Sequence, residues 1–174
     1  MTQRIFGLVG WKNSGKTTLV ERLVQEITNR GYTVSTVKHA HHDADVDEPG
    51  RDSHRHRSAG AQQVMLVTEN RWALMHELRG RHPPTAEEIA SLMAPADLIL
   101  MEGFKSELHP MLEVRSKKVT DPPIADRQPN VVAVAVEEGE PLETSVPVFD
   151  RDAVSDIASF ILDHVGLNEE SSGV

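Results

Sequence analysis

The stretch that decides the fold reads Gly10-Trp11-Lys12-Asn13-Ser14-Gly15-Lys16-Thr17-Thr18. It matches the pattern G-x-x-x-x-G-K-[ST]. A short apolar, β-prone segment precedes it at residues 5–9, and apolar residues recur after it at the spacing of one helix face, from Leu19 to Ile27. The motif therefore lies between a predicted strand and a predicted helix, which is the context that a phosphate-binding loop requires.

The residue types of this stretch suit a nucleoside triphosphate. Gly10 and Gly15 permit backbone angles and close approaches that a Cβ would block, so the loop N–H groups can surround phosphate oxygens. The following helix adds its unpaired N–H groups and the positive end of its dipole. Lys16 is predicted to reach the β- and γ-phosphates, and the Thr17 hydroxyl to bind Mg²⁺. A chance glycine-rich turn is the competing interpretation, and the correct flanking elements disfavour it.

Composition is typical of a soluble, single-domain chain. Its 174 residues are 39% hydrophobic and 26% charged, and no apolar run is long enough to cross a bilayer. We expect one nucleotide-binding domain over residues 1–167 and a disordered tail over 168–174. Cysteine is absent and we see no signal peptide, so we expect a cytoplasmic location. The net charge of -9 disfavours a nucleic-acid partner, and no membrane partner is expected.

Strand and helix patterns alternate along the chain, which is typical of an α/β fold with a mostly parallel central sheet flanked by helices. Residues 97–101 form a nearly continuous apolar run, as expected of a central strand covered on both faces. Thr85 and Glu88 have the spacing of a capping box, and Asp152 is predicted to cap the last helix. A β-hairpin extension is predicted from strands over 64–68 and 72–76. Further strands are predicted over 32–38, 111–114, 131–136 and 146–149, and further helices over 53–59, 85–93 and 152–165.

Polar residues follow several predicted strands, at the sheet edge where ligands of open α/β folds bind. Lys38 ends the second strand, and Glu102 ends the buried strand at 97–101. Glu102 stands where an acid near Mg²⁺ is expected, and we predict that it holds a metal-bound water or polarises a nucleophile. Asp97, at the opposite end of that strand, is interpreted as a turn residue. The candidate catalytic residues are Lys16 and Glu102, and the candidate metal ligands are Thr17 and Glu102.

The polar segment between residues 39 and 53 is long for a loop, and such loops often carry function. Asp43, Asp45 and Asp47 alternate, but the calcium-loop pattern fails because Glu48 stands where that pattern requires glycine. The histidines of the segment lack the partner pattern of a zinc site. Two interpretations stay open: a flexible loop with solvated side chains, or a loop that responds to nucleotide and brings a carboxylate near Mg²⁺ through water.

The base is not identified by any local motif. The guanine-reading pattern N-K-x-D of many GTPases is absent from the sequence. Trp11 and Lys12 occupy variable positions of the loop, and Trp11 is predicted either to cover the phosphates, to meet a partner or to plug an apolar gap.

Five segments occur in one order along the chain: Gly-Trp-Lys-Asn-Ser-Gly-Lys-Thr-Thr-Leu from Gly10, Val-Lys-His-Ala-His-His-Asp from Val37, Asp-x-Asp-x-Pro-Gly-x-Asp-Ser from Asp45, Arg-Trp-Ala-Leu-Met from Arg71 and Leu-Ile-Leu-Met-Glu-Gly-Phe-Lys from Leu98. Together they closely resemble the MobB family, the adaptor proteins of molybdopterin-guanine dinucleotide biosynthesis. The resemblance extends from about residue 5 to residue 165.

The resemblance implies a P-loop NTPase fold of the SIMIBI type that binds GTP with Mg²⁺ and hydrolyses GTP slowly at most. It implies a MobA-type nucleotidyltransferase as partner, which attaches GMP to molybdopterin, and a homodimer joined through sheet extension. Molybdopterin itself is a further candidate ligand. Carried over by motif, Lys38, the loop 43–52 and residues 102–105, including Lys105, line the same face as the phosphate loop. Arg115 remains a candidate ligand, although the segment after Pro110 lacks the Lys that relatives often have there.

We therefore expect a GTP-binding adaptor in molybdenum cofactor biosynthesis. In this hypothesis the γ-phosphate and Mg²⁺ order the loop at 43–53, and hydrolysis releases it. The alternative is a small-molecule kinase or ATP-dependent ligase on the same fold, in which Lys38 or Lys105 contacts an acidic substrate. A structural domain with an inactive loop is the third interpretation.

Overall fold

The computed structural model describes residues 3–40, 47–138 and 142–168. It divides into two compact units: Met1–His39 with Thr85–Val174 form the larger unit, and Ala40–Pro84 form the smaller one. The tail predicted at 168–174 lies, apart from Asn168, outside the described residues. No helix in the described part of the chain has the length and apolar character needed to cross a membrane.

The larger unit is built on a six-stranded parallel sheet. In chain order, the elements of the protein are β1 (Ile5–Val9), α1 (Lys16–Asn29), β2 (Val34–Lys38), α2 (Asp52–Ser58), β3 (Gln63–Val67), β4 (Trp72–His76), α3 (Ala86–Leu92), β5 (Leu98–Glu102), β6 (Met111–Val114), β7 (Val131–Val136), β8 (Val148–Asp150) and α4 (Val154–His164). The strand order of the sheet is β2-β5-β1-β6-β7-β8, and every neighbouring pair is parallel. The predicted α/β fold with a central parallel sheet is confirmed.

Helices cover both faces of this sheet. On one face, α1 and α4 bury their apolar sides against the sheet in a single cluster that includes Leu23 and Ile161. On the other face, Ala86 and Ala90 of α3 pack against Ile99 and Met101 of β5. Burying one such large aliphatic side chain contributes about 1.5–3 kcal/mol. Strand β5 is buried along its whole length, as its continuous apolar run predicts.

The ends of the helices follow the local sequence, with one correction. At the start of α3, the Thr85 hydroxyl accepts from the Glu88 N–H and the Glu88 carboxylate accepts from the Thr85 N–H, which confirms the capping box. The prediction that Asp152 caps the last helix is wrong. Helix α4 begins at Val154 with Ala153 as its N-cap, so Asp152 lies one position too early, and its carboxylate accepts from Arg22 instead.

The smaller unit contains α2 and the antiparallel pair β3–β4, which confirms the predicted hairpin. A partly buried ion-pair network links segments of this unit, because Arg57 donates from Nε to Asp47 at 3.2 Å and from Nη1 to Glu77 at 2.8 Å. Large apolar side chains of the hairpin stay exposed. They are Met65, Leu66, Val67, Trp72 and Leu74.

Candidate functional site

The loop between β1 and α1 has the tight conformation that its glycines predict. Gly15 has φ +92° and Asn13 has φ +65°, both in the left-handed region. At Gly10, a Cβ would lie 2.4 Å from the carbonyl oxygen of Val114 and 2.6 Å from the Ser14 hydroxyl. Any side chain at Gly10 would therefore push the loop off the end of β6. Helix α1 starts at Lys16 without a side-chain cap, so its first-turn N–H groups remain available to an anionic acceptor.

The Lys16 ammonium lies over this loop. Its Nζ donates to the carbonyl oxygens of Gly10 at 2.9 Å and Trp11 at 2.8 Å. Burial is the main cause that lowers the pKa of Lys16, and the nearby ammonium groups of Lys105 and Lys38 lower it further, whereas Glu102 opposes them. Two further lysines and a single carboxylate thus act on Lys16, and this excess of positive charge suits a polyanion such as a triphosphate.

The ends of β2 and β5 bring Lys38 and Glu102 together with Thr17. Lys38 and Glu102 are direct neighbours in the parallel register of the two strands. The Thr17 hydroxyl donates to Glu102 Oε1 at 2.9 Å, and Lys38 Nζ lies 3.3 Å from the same oxygen. The Glu102 side chain is only 11% exposed. A hydroxyl and a carboxylate oxygen side by side are the ligand types that Mg²⁺ prefers.

A complete protein cage for a metal does not occur in the part of the chain that the structure describes: no three His, Asp or Glu side chains converge there. Such a partial ligand set fits Mg²⁺, which usually keeps several waters and takes oxygens from its substrate's phosphates as well as from the protein. The conformation of the loop and the chemistry of the Thr17–Glu102 pair therefore fit a bound Mg²⁺–nucleotide.

Lys105 and Trp11 form the rim of the loop. The Lys105 ammonium lies 4.2 Å from the centre of the Trp11 ring, within cation–π distance. The indole N–H of Trp11 donates to the Pro122 carbonyl at 3.1 Å, and Gln128 donates to the Lys105 carbonyl. The loop that follows β6 therefore holds the Trp11 side chain and the Lys105 backbone beside the phosphate loop. Lys12, another predicted contact, is exposed.

The Arg115 guanidinium is engaged by groups of the protein itself. It is buried and donates to Glu113 Oε1 at 3.1 Å and to the Asp121 carbonyl at 3.1 Å. Glu113, which the sequence did not single out, is fully buried and also accepts from the Ala125 N–H at 2.9 Å. In the described residues Arg115 therefore holds the loop after β6, and a contact with nucleotide stays a prediction.

Among the other aspartates considered in the sequence, those that the structure describes accept hydrogen bonds from protein groups. Asp43 and Asp45 lie outside the described residues. Asp47 accepts from the Ser53 hydroxyl at 2.8 Å as well as from Arg57. At the other end of β5, Asp97 accepts from both the N–H and the hydroxyl of Thr33 at 2.7 Å, in agreement with its interpretation as a turn residue. The hydrogen bonds from Thr33 are the main cause that lowers the pKa of Asp97.

Arg151 reaches the phosphate loop although the sequence reasoning did not select it. Its Nη1 donates to the Ser14 carbonyl at 3.4 Å, and its Nη2 donates to Glu137 Oε1 at 3.2 Å. Glu137 is itself held by the backbone N–H of Lys117 at 2.7 Å. The signal was available, because Arg151 follows the last strand at the same edge of the sheet as the phosphate loop.

These features define the class of protein. A glycine-rich loop joins a parallel strand to a helix, and an acid stands at the end of the neighbouring strand, so the chain is a P-loop nucleotide-binding protein. Residues 5–137 match the family model described as molybdopterin guanine dinucleotide synthesis protein B. The chain therefore belongs to the MobB family, which confirms the resemblance seen in the sequence and the predicted place in molybdenum cofactor biosynthesis.

Individual relatives agree with this assignment. The chain is 37% identical to a molybdopterin-guanine dinucleotide biosynthesis adapter protein of Haemophilus influenzae, over 90% of this chain and 86% of the relative. It is 36% identical to the protein of that name from Escherichia coli, over 91% of each chain. The crystal structure of a MobB homologue from Bacillus stearothermophilus is similar with a TM-score of 0.65 and 26% identity, covering 92% of this chain and 97% of the homologue.

Proposed function

We propose that this chain is a GTP- and Mg²⁺-binding adaptor that acts with a MobA-type nucleotidyltransferase in molybdopterin guanine dinucleotide biosynthesis. One observation carries the proposal: the Lys16 ammonium covers the loop beside the Thr17–Glu102 pair. The two bacterial relatives, both adapter proteins of molybdopterin-guanine dinucleotide biosynthesis, support a role in that process. The cytoplasmic location expected from the sequence belongs to the same proposal.

The residues of the site have distinct roles in this proposal. The backbone N–H groups of residues 10–18 and the Lys16 ammonium bind the phosphates. Thr17 binds Mg²⁺ directly, and Glu102 holds a metal-bound water. Bound Mg²⁺ neutralises charge on the β- and γ-phosphate oxygens. Lys38 and Lys105 add positive charge at that end of the phosphate chain, since both act electrostatically on Lys16.

Slow hydrolysis follows from how Glu102 is held. Its carboxylate accepts from Thr17 and is ion-paired with Lys38. In this proposal Glu102 therefore positions Thr17 and Lys38 and does not activate the attacking water. GTPases of this architecture need a separate group that orients the attacking water and a cation that stabilises the transferring phosphoryl group, and such cations contribute several powers of ten in rate. We therefore expect a nucleotide-dependent binding protein whose own turnover stays far below one per second.

The partner of the exposed hairpin is, in this proposal, a second copy of the chain. Trp72 is 62% and Val67 66% exposed, and apolar patches of this kind mark interaction sites. Replacing Trp72 by Glu should convert a dimer to a monomer in light scattering. The control is Leu92→Glu, at a leucine of α3 that is 76% exposed, which should leave the mass unchanged. A wild-type monomer at micromolar concentration would contradict the dimer.

The adaptor role is tested by nucleotidyl transfer. A MobA-type enzyme is supplied with molybdopterin and Mg²⁺–GTP, and formation of the dinucleotide product is measured with and without this chain. Wild-type chain should increase product formation, and Lys16→Ala should not. The control Lys118→Ala, at an exposed lysine outside the phosphate loop, should behave as wild type. Equal stimulation by Lys16→Ala would refute the proposal, as would phosphoryl transfer to a small acceptor at about one per second or faster.

A further inference from the structure

A small pocket lies beside the phosphate loop, at the end of β8. Its volume is about 130 Å³. It is lined by Gly15, Thr18, Leu19, Arg22, Arg151 and Asp152. Arg151 and Asp152 lie beyond residues 5–137, the part of the chain that the family model matches.

The strand order indicates which end of a nucleotide this pocket faces. Thr17 contacts Glu102, and β5 and β2 lie on one side of β1 in the sheet. Strand β8, which is followed directly by Arg151 and Asp152, lies on the other side of β1. A triphosphate whose metal-binding end is at Thr17 therefore leaves the loop toward Gly15 and Thr18, and its nucleoside arrives at the pocket. The pocket is far smaller than the clefts of about 300–1,000 Å³ that enclose whole ligands, so it suits a single planar group.

Arg151 forms a fixed wall of this pocket. A Cβ built on Gly15 would lie 3.0 Å from Arg151 Nη1, so the guanidinium lies directly over the loop. Its contacts with Ser14 and Glu137 hold the guanidinium in one orientation. A planar guanidinium held in this way stacks against a flat aromatic ring.

Asp152 supplies an acceptor with a defined chemistry. Its carboxylate now accepts from the Arg22 guanidinium, and this hydrogen bond is the main cause that lowers the pKa of Asp152. The group is therefore ionised at neutral pH and can only accept. Guanine presents two adjacent donors, N1–H and the 2-amino group, in the manner of a guanidinium, and a carboxylate can accept both. Adenine presents a bare N1 acceptor there, which a carboxylate repels.

We infer that this pocket receives the guanine base of GTP, that Asp152 accepts from its N1–H and 2-amino group in place of Arg22, and that Arg151 packs against the ring. The inference rests on the proposed GTP binding and deepens it. It assigns recognition of the base to Asp152 in a sequence that lacks the N-K-x-D motif.

Calorimetric titration with GTP, ITP, XTP and ATP tests the assignment. Wild type should bind GTP more tightly than ITP, which lacks the 2-amino group, and ITP more tightly than ATP. Asp152→Asn should lose GTP affinity by about ten- to a hundredfold. The same substitution should shift preference toward XTP, whose 2-oxo group accepts from the new amide. The control is Asp156→Asn, an exposed acid in the first turn of α4, which should keep the wild-type order.

The outcomes separate this inference from the proposed function. If Asp152→Asn keeps the wild-type GTP affinity and GTP-to-XTP ratio, the inference is overturned while GTP binding stands. If wild type binds no GTP, both are overturned. Arg22→Ala removes the side chain that now pairs with Asp152, so it should bind GTP at least as tightly as wild type. A loss of GTP preference confined to Arg22→Ala would overturn the role of Asp152. Both carboxylates are exposed, and thermal unfolding of each variant verifies that it is folded.

Discussion

The Thr17 hydroxyl donates to the Glu102 carboxylate at 2.9 Å, although 85 positions separate the two residues in the chain. The contact exists because β1 and β5 pair in parallel with Leu8 opposite Glu102. This register places Glu102, the last residue of β5, beside the first turn of α1. The parallel sheet therefore assembles the metal-side half of the candidate site.

Replacing Glu102 by Gln keeps the shape of the side chain and removes its charge. We expect the Mg²⁺ enhancement of GTP affinity to fall about tenfold, because one charge-assisted interaction with the metal-bound water is lost. Affinity in EDTA should change little. Calorimetric titration of GTP at several Mg²⁺ concentrations measures both quantities.

The matched control is Asp97→Asn, at the opposite end of the same strand. Asp97 accepts from Thr33, so its substitution should lower the melting temperature slightly without affecting the Mg²⁺ dependence. If Glu102→Gln retains the full Mg²⁺ enhancement, Glu102 does not act near the metal.

Truncation of Arg115 should lower the stability of the fold and leave GTP affinity unchanged. Arg115→Ala leaves Glu113 buried without its ion-pair partner, and breaking a buried pair in this way costs about 3–5 kcal/mol. Urea unfolding should report that loss. Where the variant remains folded, GTP affinity should match wild type.

An exposed ion pair serves as the control for the buried Arg115–Glu113 pair. Arg51 and Glu48 form an ion pair on the surface, so Arg51→Ala should change the free energy of unfolding by no more than about 0.5 kcal/mol. A small stability loss in Arg115→Ala, combined with a large loss of GTP affinity, would instead support the predicted ligand role of Arg115.

His109 should make stability depend on pH. It is buried against Gly7 of β1, and in the described part of the chain neither ring nitrogen has a hydrogen-bond partner. Burial lowers the pKa of His109 below its ordinary 6.5, and the nearby carboxylate of Glu87 offsets this only in part. The folded state thus binds the proton more weakly than the unfolded state does. The stabilising contribution of neutral His109 is present above pH 6.5 and is lost as the pH falls through the lowered pKa of this residue.

Urea unfolding between pH 7.5 and about pH 5 measures this effect. His109→Leu should flatten the decline in the free energy of unfolding, whereas His56→Gln, on the exposed surface of α2, should retain it. An unchanged slope in His109→Leu would show that another group dominates.

Local sequence patterns predicted much of this architecture. The phosphate loop, the amphipathic α1 and the buried β5 each follow from a short motif or a periodicity. Glu102 was found because it ends a strand that had to be central. The capping box at Thr85 and the hairpin after Gln63 are likewise local features, so a single sequence reveals them.

The rest depends on contacts between distant parts of the chain. Asp152 has the residue type of a helix cap, but its carboxylate turns to Arg22, 130 positions away. Arg115 has the charge of a phosphate ligand, but it pairs with Glu113, and this pair is buried because β6 lies between β1 and β7 in the sheet. Arg151 approaches Ser14 because β8 lies in the same sheet as β1, and no sequence period encodes that distance.

Binding of nucleotide by wild type and Lys16→Ala tests the central claim most directly. Calorimetric titrations with GTP and ATP, in Mg²⁺ and in EDTA, give four affinities for each of the two proteins. Wild type should bind GTP more tightly than ATP, Mg²⁺ should strengthen that binding, and Lys16→Ala should weaken it about a hundredfold. Tighter binding of ATP than of GTP, or wild-type GTP affinity in Lys16→Ala, would contradict a GTP-binding adaptor built on this loop.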